Sequence, residues 1–229
     1  MPAEVLHSAV VEAIAQEIVD GRLQAGEVLR LDRIQADHDI SRTVAREVMR
    51  SLENAGLVVA RRSVGLVVQP QDRWRLLDPR VIGWRLKGPQ RDEQLESLTQ
   101  LRTAIEPMAA GAAALNAGRD QCRRLAYLAE EMARLGAIGD QEQFLQVDIE
   151  YHSLLLEASD NELFSALQEV FAVTLRGRTH GGLMPRFPRE EAISAHREVA
   201  RLVGKRDAGA AHDAMAAMMS GLRSDLFGS

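Results

Sequence analysis

The sequence predicts a mainly α-helical protein in two parts: three short helices and a β-hairpin, then an all-α antiparallel helical bundle. Three observations carry this expectation. Hydrophobic residues make up 46% of the chain but aromatics only 4%, so Leu, Val, Ile, Met and Ala must fill the core, which suits helix packing better than a sheet sandwich. Strand grammar is concentrated in one stretch, "LVVARRSVGLVV" at 57–68, two β-branched runs around a tight turn. From about residue 90 onward the text reads as helix, punctuated by Gly and Pro.

In chain order, Val10, Ile14 and Ile18 form one apolar stripe, and Gly21 is placed to end that helix. A second short helix runs near Leu31 to Asp37. A third starts after Ser41, an N-cap type, and runs to about Ala55, with Gly56 beyond its end. Three helices and a hairpin in residues 1–70 make a winged helix-turn-helix. The stretch 71–90, with prolines, glycines and both tryptophans, reads as a linker that packs rather than floats. Residues 91–229 then form the helical domain, expected as helices near 92–116, 120–136, 140–158, 161–178, 188–204 and 206–226. Pro107 should kink or divide the first of them. Short connections favour antiparallel neighbours.

Composition bounds the function classes. The chain has 229 residues, a net charge of −5 and one cysteine, Cys122, so it holds no internal disulfide and no cysteine zinc cluster. A reducing cytoplasm is the simplest compartment. No secretory pattern opens the chain and no run of about 18 apolar residues exists, so neither export nor a membrane span is expected. An acidic balance argues against indiscriminate coating of nucleic acid but leaves room for a local basic face.

The third helix supplies such a face. Val44, Val48 and Leu52 repeat every four residues as its buried stripe, and Arg42, Arg46 and Arg50 repeat every four on the opposite side. One side can pack while the other enters a DNA major groove, where Arg donates a bidentate pair to guanine. Ser41, Thr43 and the helix N-terminus can hold phosphates, and Arg61 and Arg62 sit in the hairpin turn. Residues 1–70 carry 8 Arg against 10 Asp and Glu, whereas 41–70 alone carry 5 Arg against 2 Glu. The domain is acidic and its recognition half basic. Exposed helix arginines are usually mere solvated charge; helix order, the N-terminal Arg pair and the basic wing together favour DNA binding.

"ISRTVAREVMRSLENAGLVVARRSVGLVV" resembles the signature of GntR-type winged-helix transcription regulators. The resemblance implies that Arg42 and Arg46 contact bases and backbone, that Thr43 holds a phosphate and that Gly65 is the wing glycine. The family often has Arg at the position of Asp32 and Gly near Asp39. Arg30 or Arg33 is available to replace the first, and Asp tolerates the left-handed conformation that the second implies.

In the helical domain, polar residues fall on apolar faces. Asp148 and His152 lie one turn apart among Phe144, Leu145, Leu155 and Leu156. His196 shares a face with Ile193, Val199 and Val203, and Arg102 with Leu98, Ile105 and Ala109. Each alone reads more simply as a hydrogen-bonded core residue or an intrahelical pair. Together, three helices bringing Asp, His, His and Arg inward suggest one pocket for a metal ion, an anion or both. Asp plus two His suits Zn, Ni or Mn with positions left open, and Arg102 would clamp a carboxylate.

"LTQLRTAIEPMAAGAAA", "DIEYH" and "HREVARLVGKRDAGAAHDAM" resemble the FCD-type effector domain of the FadR-like branch of the family, similar to galactonate-type sugar-acid repressors. In that branch a small carboxylic acid binds a helical bundle, often at a metal held by one Asp and three His. Asp148, His152 and His196 match three ligand positions, and Met218 stands at the fourth. The resemblance implies a cytoplasmic, homodimeric regulator, palindromic operators being the natural targets of two-fold symmetric dimers. A repressor, controlled by a small carboxylate such as a sugar acid at a divalent metal, is the leading expectation, with the protein not an enzyme. A metal-free sensor of acyl groups or carboxylates is the alternative. A mononuclear metallohydrolase is a further one, weakened because no general base stands beside the cluster in the sequence and no HExxH pair occurs.

Overall fold

The computed structural model describes residues 3–228, with side chains from Leu6 onward. The chain forms two compact units, one up to Arg91 and one from Asp92.

The first unit holds α1 (Ala3–Val19), β1 (Val28–Leu29), α2 (Leu31–His38), α3 (Arg42–Asn54), β2 (Val58–Arg61), β3 (Gly65–Val68) and α4 (Pro79–Lys87). Val10, Ile14 and Ile18 are buried as the stripe predicts, against Val48, Leu52, Leu57 and Leu66. Ser41 caps α3, its hydroxyl accepting from Val44 N–H at 3.3 Å. Asp39 ends α2 at φ 49, the left-handed residue that the turn requires. The stretch after β3 belongs to this unit: Trp74 Nε1 donates to the Gln69 carbonyl at 3.0 Å, and Trp84 Nε1 to Glu12 at 2.6 Å.

The sheet has three antiparallel strands in the order β1-β3-β2. The third strand, β1, was not expected; its two residues pair Val28 with Val67 and Leu29 with Leu66. Gly65 begins β3 at φ 130, and a Cβ there would lie 2.8 Å from the Leu29 carbonyl oxygen. The wing glycine is therefore required by the close passage of β1. Gly65→Ala is expected to cost about 1–3 kcal/mol through backbone strain and this clash, read as a lower midpoint in urea denaturation; an unchanged midpoint would refute the strand contact.

The second unit comprises α5 (Arg91–Asn116), α6 (Arg119–Ile138), α7 (Gln141–Ala158), α8 (Glu162–Ser165), α9 (Gln168–His180), α10 (Glu190–Gly204) and α11 (Ala208–Phe227). Its core joins Ala110, Ala113 and Ala114 of α5 to Leu128 and Met132 of α6, Leu155 of α7, Val199 and Val203 of α10 and Met215 of α11. Two expectations need correction. Pro107 does not divide α5, which runs on through it; Pro107 is itself buried, so packing holds the helix across the lost hydrogen bond. The helix expected over 161–178 is two, α8 and α9. At Leu167, ψ is −1 and its N–H bonds to the Phe164 carbonyl at 3.0 Å, a tightened turn that interrupts the α ladder without Gly or Pro. Among the described residues no helix is long and apolar enough to cross a membrane.

Candidate functional site: a buried ionic cluster and an exposed basic helix

Helix α7 brings Asp148, Tyr151 and His152 inward, α10 brings His196, α5 brings Arg102 and α9 brings Arg178; all six are buried. The expected four thus meet. Asp148 Oδ1 lies 3.2 Å from His152 Nε2 and 3.6 Å from His196 Nε2. Arg178 Nη2 donates to Asp148 Oδ2 at 3.1 Å. Arg102 Nε donates to Glu106 Oε1 at 2.5 Å, and its Nη2 lies 3.3 Å from His152 Nε2. Glu106 Oε2 is 2.9 Å from His152 Nδ1, close but outside hydrogen-bond alignment. Tyr151 backs the cluster: its hydroxyl donates to the His196 carbonyl at 2.9 Å, and its ring meets both imidazoles edge-on.

Glu106 and Arg178 were missed in the sequence. Glu106 follows Arg102 by four residues, and Arg178 follows Phe171, Thr174 and Leu175 at helical spacing; both signals resemble ordinary helix charge. With them the buried cluster holds two guanidinium groups and two carboxylates, which compensate each other in a region where an unpaired charge would be costly. Burial opposes the charge on Glu106, yet Arg102 and His152 hold its pKa down to about 2. Burial likewise opposes the charge on Asp148, and His152, His196 and Arg178 overcome it, keeping its pKa well below the usual range. Burial disfavours protonated His152, but the flanking Glu106 and Asp148 carboxylates raise its pKa. Glu106 places a carboxylate beside the cluster. Its low pKa makes it a poor base, and it neutralises Arg102.

The donor set fits a divalent cation. One ligand atom each from Asp148, His152 and His196 lies within 4.8 Å of the others. His196 Nδ1 donates to the Ala192 carbonyl at 2.7 Å, which turns Nε2 toward Asp148 as a buried nitrogen with no hydrogen-bond partner. Glu106 behind His152 supplies the carboxylate that commonly supports a ligating imidazole. A cavity of about 590 Å³ opens over these groups, lined also by Met218 and by the chain after α9. That chain is held by Gln141 Nε2 donating to the Met184 carbonyl at 2.8 Å, and by Phe187 lying over Gly139, where a Cβ would approach its ring to 2.8 Å.

In the first unit, Ala45, Val48 and Leu52 bury one face of α3 while Arg42, Thr43, Arg46 and Arg50 are exposed. Arg50 is held by Glu47 at 2.7 Å; among the described residues Arg42 and Arg46 make no ion pair. Arg62 is exposed in the turn between β2 and β3, ahead of Gly65. Asp32 is exposed in the first turn of α2, Arg33 is paired with Asp37 at 3.3 Å, and Arg30 is exposed with no ion pair among the described residues.

Residues 6–68 match the family described as bacterial regulatory proteins, gntR family, and residues 97–221 match the FCD domain. The chain is 28% identical over 167 residues to the uncharacterized HTH-type transcriptional regulator YieP of Escherichia coli K12, covering 72% of this chain and 73% of that one. It is 26% identical over 215 residues to the galactonate operon transcriptional repressor of the same organism, covering 92% of each. The solved E. coli McbR/YncC has the same fold, with TM-score 0.56 at 17% identity, over 97% of both chains. A winged helix with an exposed arginine face, joined in one chain to an FCD bundle, identifies this protein as a member of the GntR family of bacterial transcriptional regulators.

Proposed function

We propose that residues 1–70 bind an operator and that residues 91–229 bind the effector and form a homodimer, with 71–90 as a packed linker, in a cytoplasmic repressor. Ser41, Arg42, Thr43, Arg46, Arg50, Arg62 and Gly65 form the DNA-contacting set, Gly65 through the backbone of the wing. A small carboxylate enters the cavity of the second unit and meets Arg102. Asp148, His152 and His196 hold a divalent metal, Zn, Ni or Mn, whose role when bound is to coordinate the acid directly. The observation that carries this reading is the buried, unpartnered His196 Nε2 facing Asp148 beneath an open cavity. The charge balance agrees. The cluster is already neutral through its two arginines and two carboxylates, so a cation added there calls for an anion beside it. The galactonate repressor among the relatives makes sugar acids one candidate class. Effector binding then changes operator affinity by its differential affinity for the two states.

The test is selection of DNA from a random duplex library by the full-length protein, followed by release assays with metal and acids. Enrichment of a palindrome and its release by an acid are expected; no enrichment would sink the operator reading. Met218, at the position where the family resemblance implies a fourth ligand, lines the cavity. Met218→His is expected to tighten zinc binding about tenfold or more by adding an imidazole, measured by competition with a chromogenic chelator. Unchanged affinity would count against the three-ligand site.

A metal-free reading has one specific observation behind it: Arg102 Nη2 stands 3.3 Å from His152 Nε2, the nitrogen a cation would need. Elemental analysis of protein purified without chelator separates the two; metal well below one per chain favours the sensor without a metal.

A further inference from the structure

We infer that the effector is a carboxylic acid with an apolar body, aromatic or aliphatic, rather than a polyhydroxylated acid. This deepens the carboxylate-pocket reading and rests on it. The cavity has two unlike parts. Its floor is ionic: Arg102, Asp148, His152, Arg178 and His196. Its wall is made chiefly by α11 and the chain between α9 and α10, with Met184, Met218, Met219, Leu222 and Leu226 as the main apolar surface.

Among the described residues the lining contains no Ser, Thr, Asn, Gln or Tyr. These are the neutral side chains that exchange hydrogen bonds with sugar hydroxyls in both directions. Of the charged groups higher in the cavity, Glu191 is a solvent-exposed carboxylate that can only accept hydrogen bonds, and the others are committed. Arg189 pairs with Asp225, and Glu198 pairs with Arg201 at 2.5 Å. Of the loop carbonyls, that of Met184 accepts from Gln141. A polyol buried here would leave several hydroxyls without partners, each costing on the order of tenfold in affinity. An apolar body instead meets three methionines, whose unbranched thioethers adapt to an irregular shape. The carboxylate is still anchored at the floor, where Arg178 Nε is a buried donor with no hydrogen-bond partner and where the bare His196 Nε2 beside Asp148 can reach the acid through a shared cation.

The experiment is isothermal titration calorimetry of the full-length protein, supplied with zinc and repeated without it. The probes are 3-phenylpropanoate, hexanoate, gluconate, galactonate and the neutral 3-phenylpropanamide. The expected result is 3-phenylpropanoate or hexanoate binding at least tenfold tighter than either sugar acid, and at least tenfold tighter than the amide. Leu222→Gln, half-buried at the cavity wall, should narrow the ratio between apolar and sugar acids while circular dichroism shows the fold intact. Gluconate or galactonate binding as tightly as the apolar acids overturns the inference and leaves the carboxylate pocket standing. The amide binding as tightly as its acid overturns the carboxylate reading itself, and no binding by any acid overturns both.

Discussion

Replacing both Arg42 and Arg46 by alanine is expected to weaken operator binding about 100-fold or more, since each bidentate arginine contact is worth roughly 1–3 kcal/mol and each 1.4 kcal/mol about tenfold. The two side chains are exposed on α3, opposite the buried Ala45, Val48 and Leu52. Their removal should therefore leave the circular dichroism spectrum and thermal midpoint unchanged. Gel-shift titration against a selected operator reads the affinity, and a salt series separates the contributions. Loss of a phosphate contact lowers the slope of log affinity on log salt by about 1, whereas loss of a base contact relaxes sequence preference. Arg50→Ala should have a smaller effect, because Arg50 is already held by Glu47 at 2.7 Å. Equal binding by wild type and the double variant would remove α3 as the recognition helix.

The second large effect is expected at Glu106, a residue that touches neither DNA nor the cavity. Glu106→Ala strips the partner from Arg102, which is 2% exposed and cannot recover its hydration. Removing one member of a buried ion pair costs about 3–5 kcal/mol, read by urea denaturation as a lower midpoint. The same change leaves His152 without the carboxylate behind its Nδ1, and loss of such support typically weakens metal binding about 10–100-fold. Glu106→Gln keeps the volume and one acceptor, so it should lose less stability while still weakening the metal. A loss below about 1 kcal/mol for Glu106→Ala would show that the pair is solvated in solution and the cluster open.

What the sequence revealed and what it hid follow from the range of the interactions. The third helix was legible because both its faces repeat every four residues, Val44, Val48 and Leu52 against Arg42, Arg46 and Arg50. The inward polar groups Arg102, Asp148, His152 and His196 were legible because charge on an apolar stripe contradicts local patterning. Their partners were not. The Arg102–Glu106 spacing is the same as that of many solvated helix pairs, and Arg178 reaches Asp148 across 30 positions of chain. Strand β1 is only two residues long and has meaning only against β3. The break between α8 and α9 carries no Gly or Pro, and Pro107 inside α5 is tolerated because it is buried. In each case tertiary contacts overrode the local rule.

The division of the cavity between an ionic floor and an apolar wall has an evolutionary consequence. The floor is carried by α5, α7, α9 and α10, and its substitutions are penalised twice, in folding and in binding. Much of the wall is carried by α11 and the chain between α9 and α10, where Met218, Leu222 and Leu226 are only half-buried. Mutational drift in this lineage can therefore explore new effectors through positions such as 218, 222 and 226 while the anchoring charges stay still. Duplicated copies of such a gene would be expected to diverge in what they sense long before they lose the ability to sense an acid.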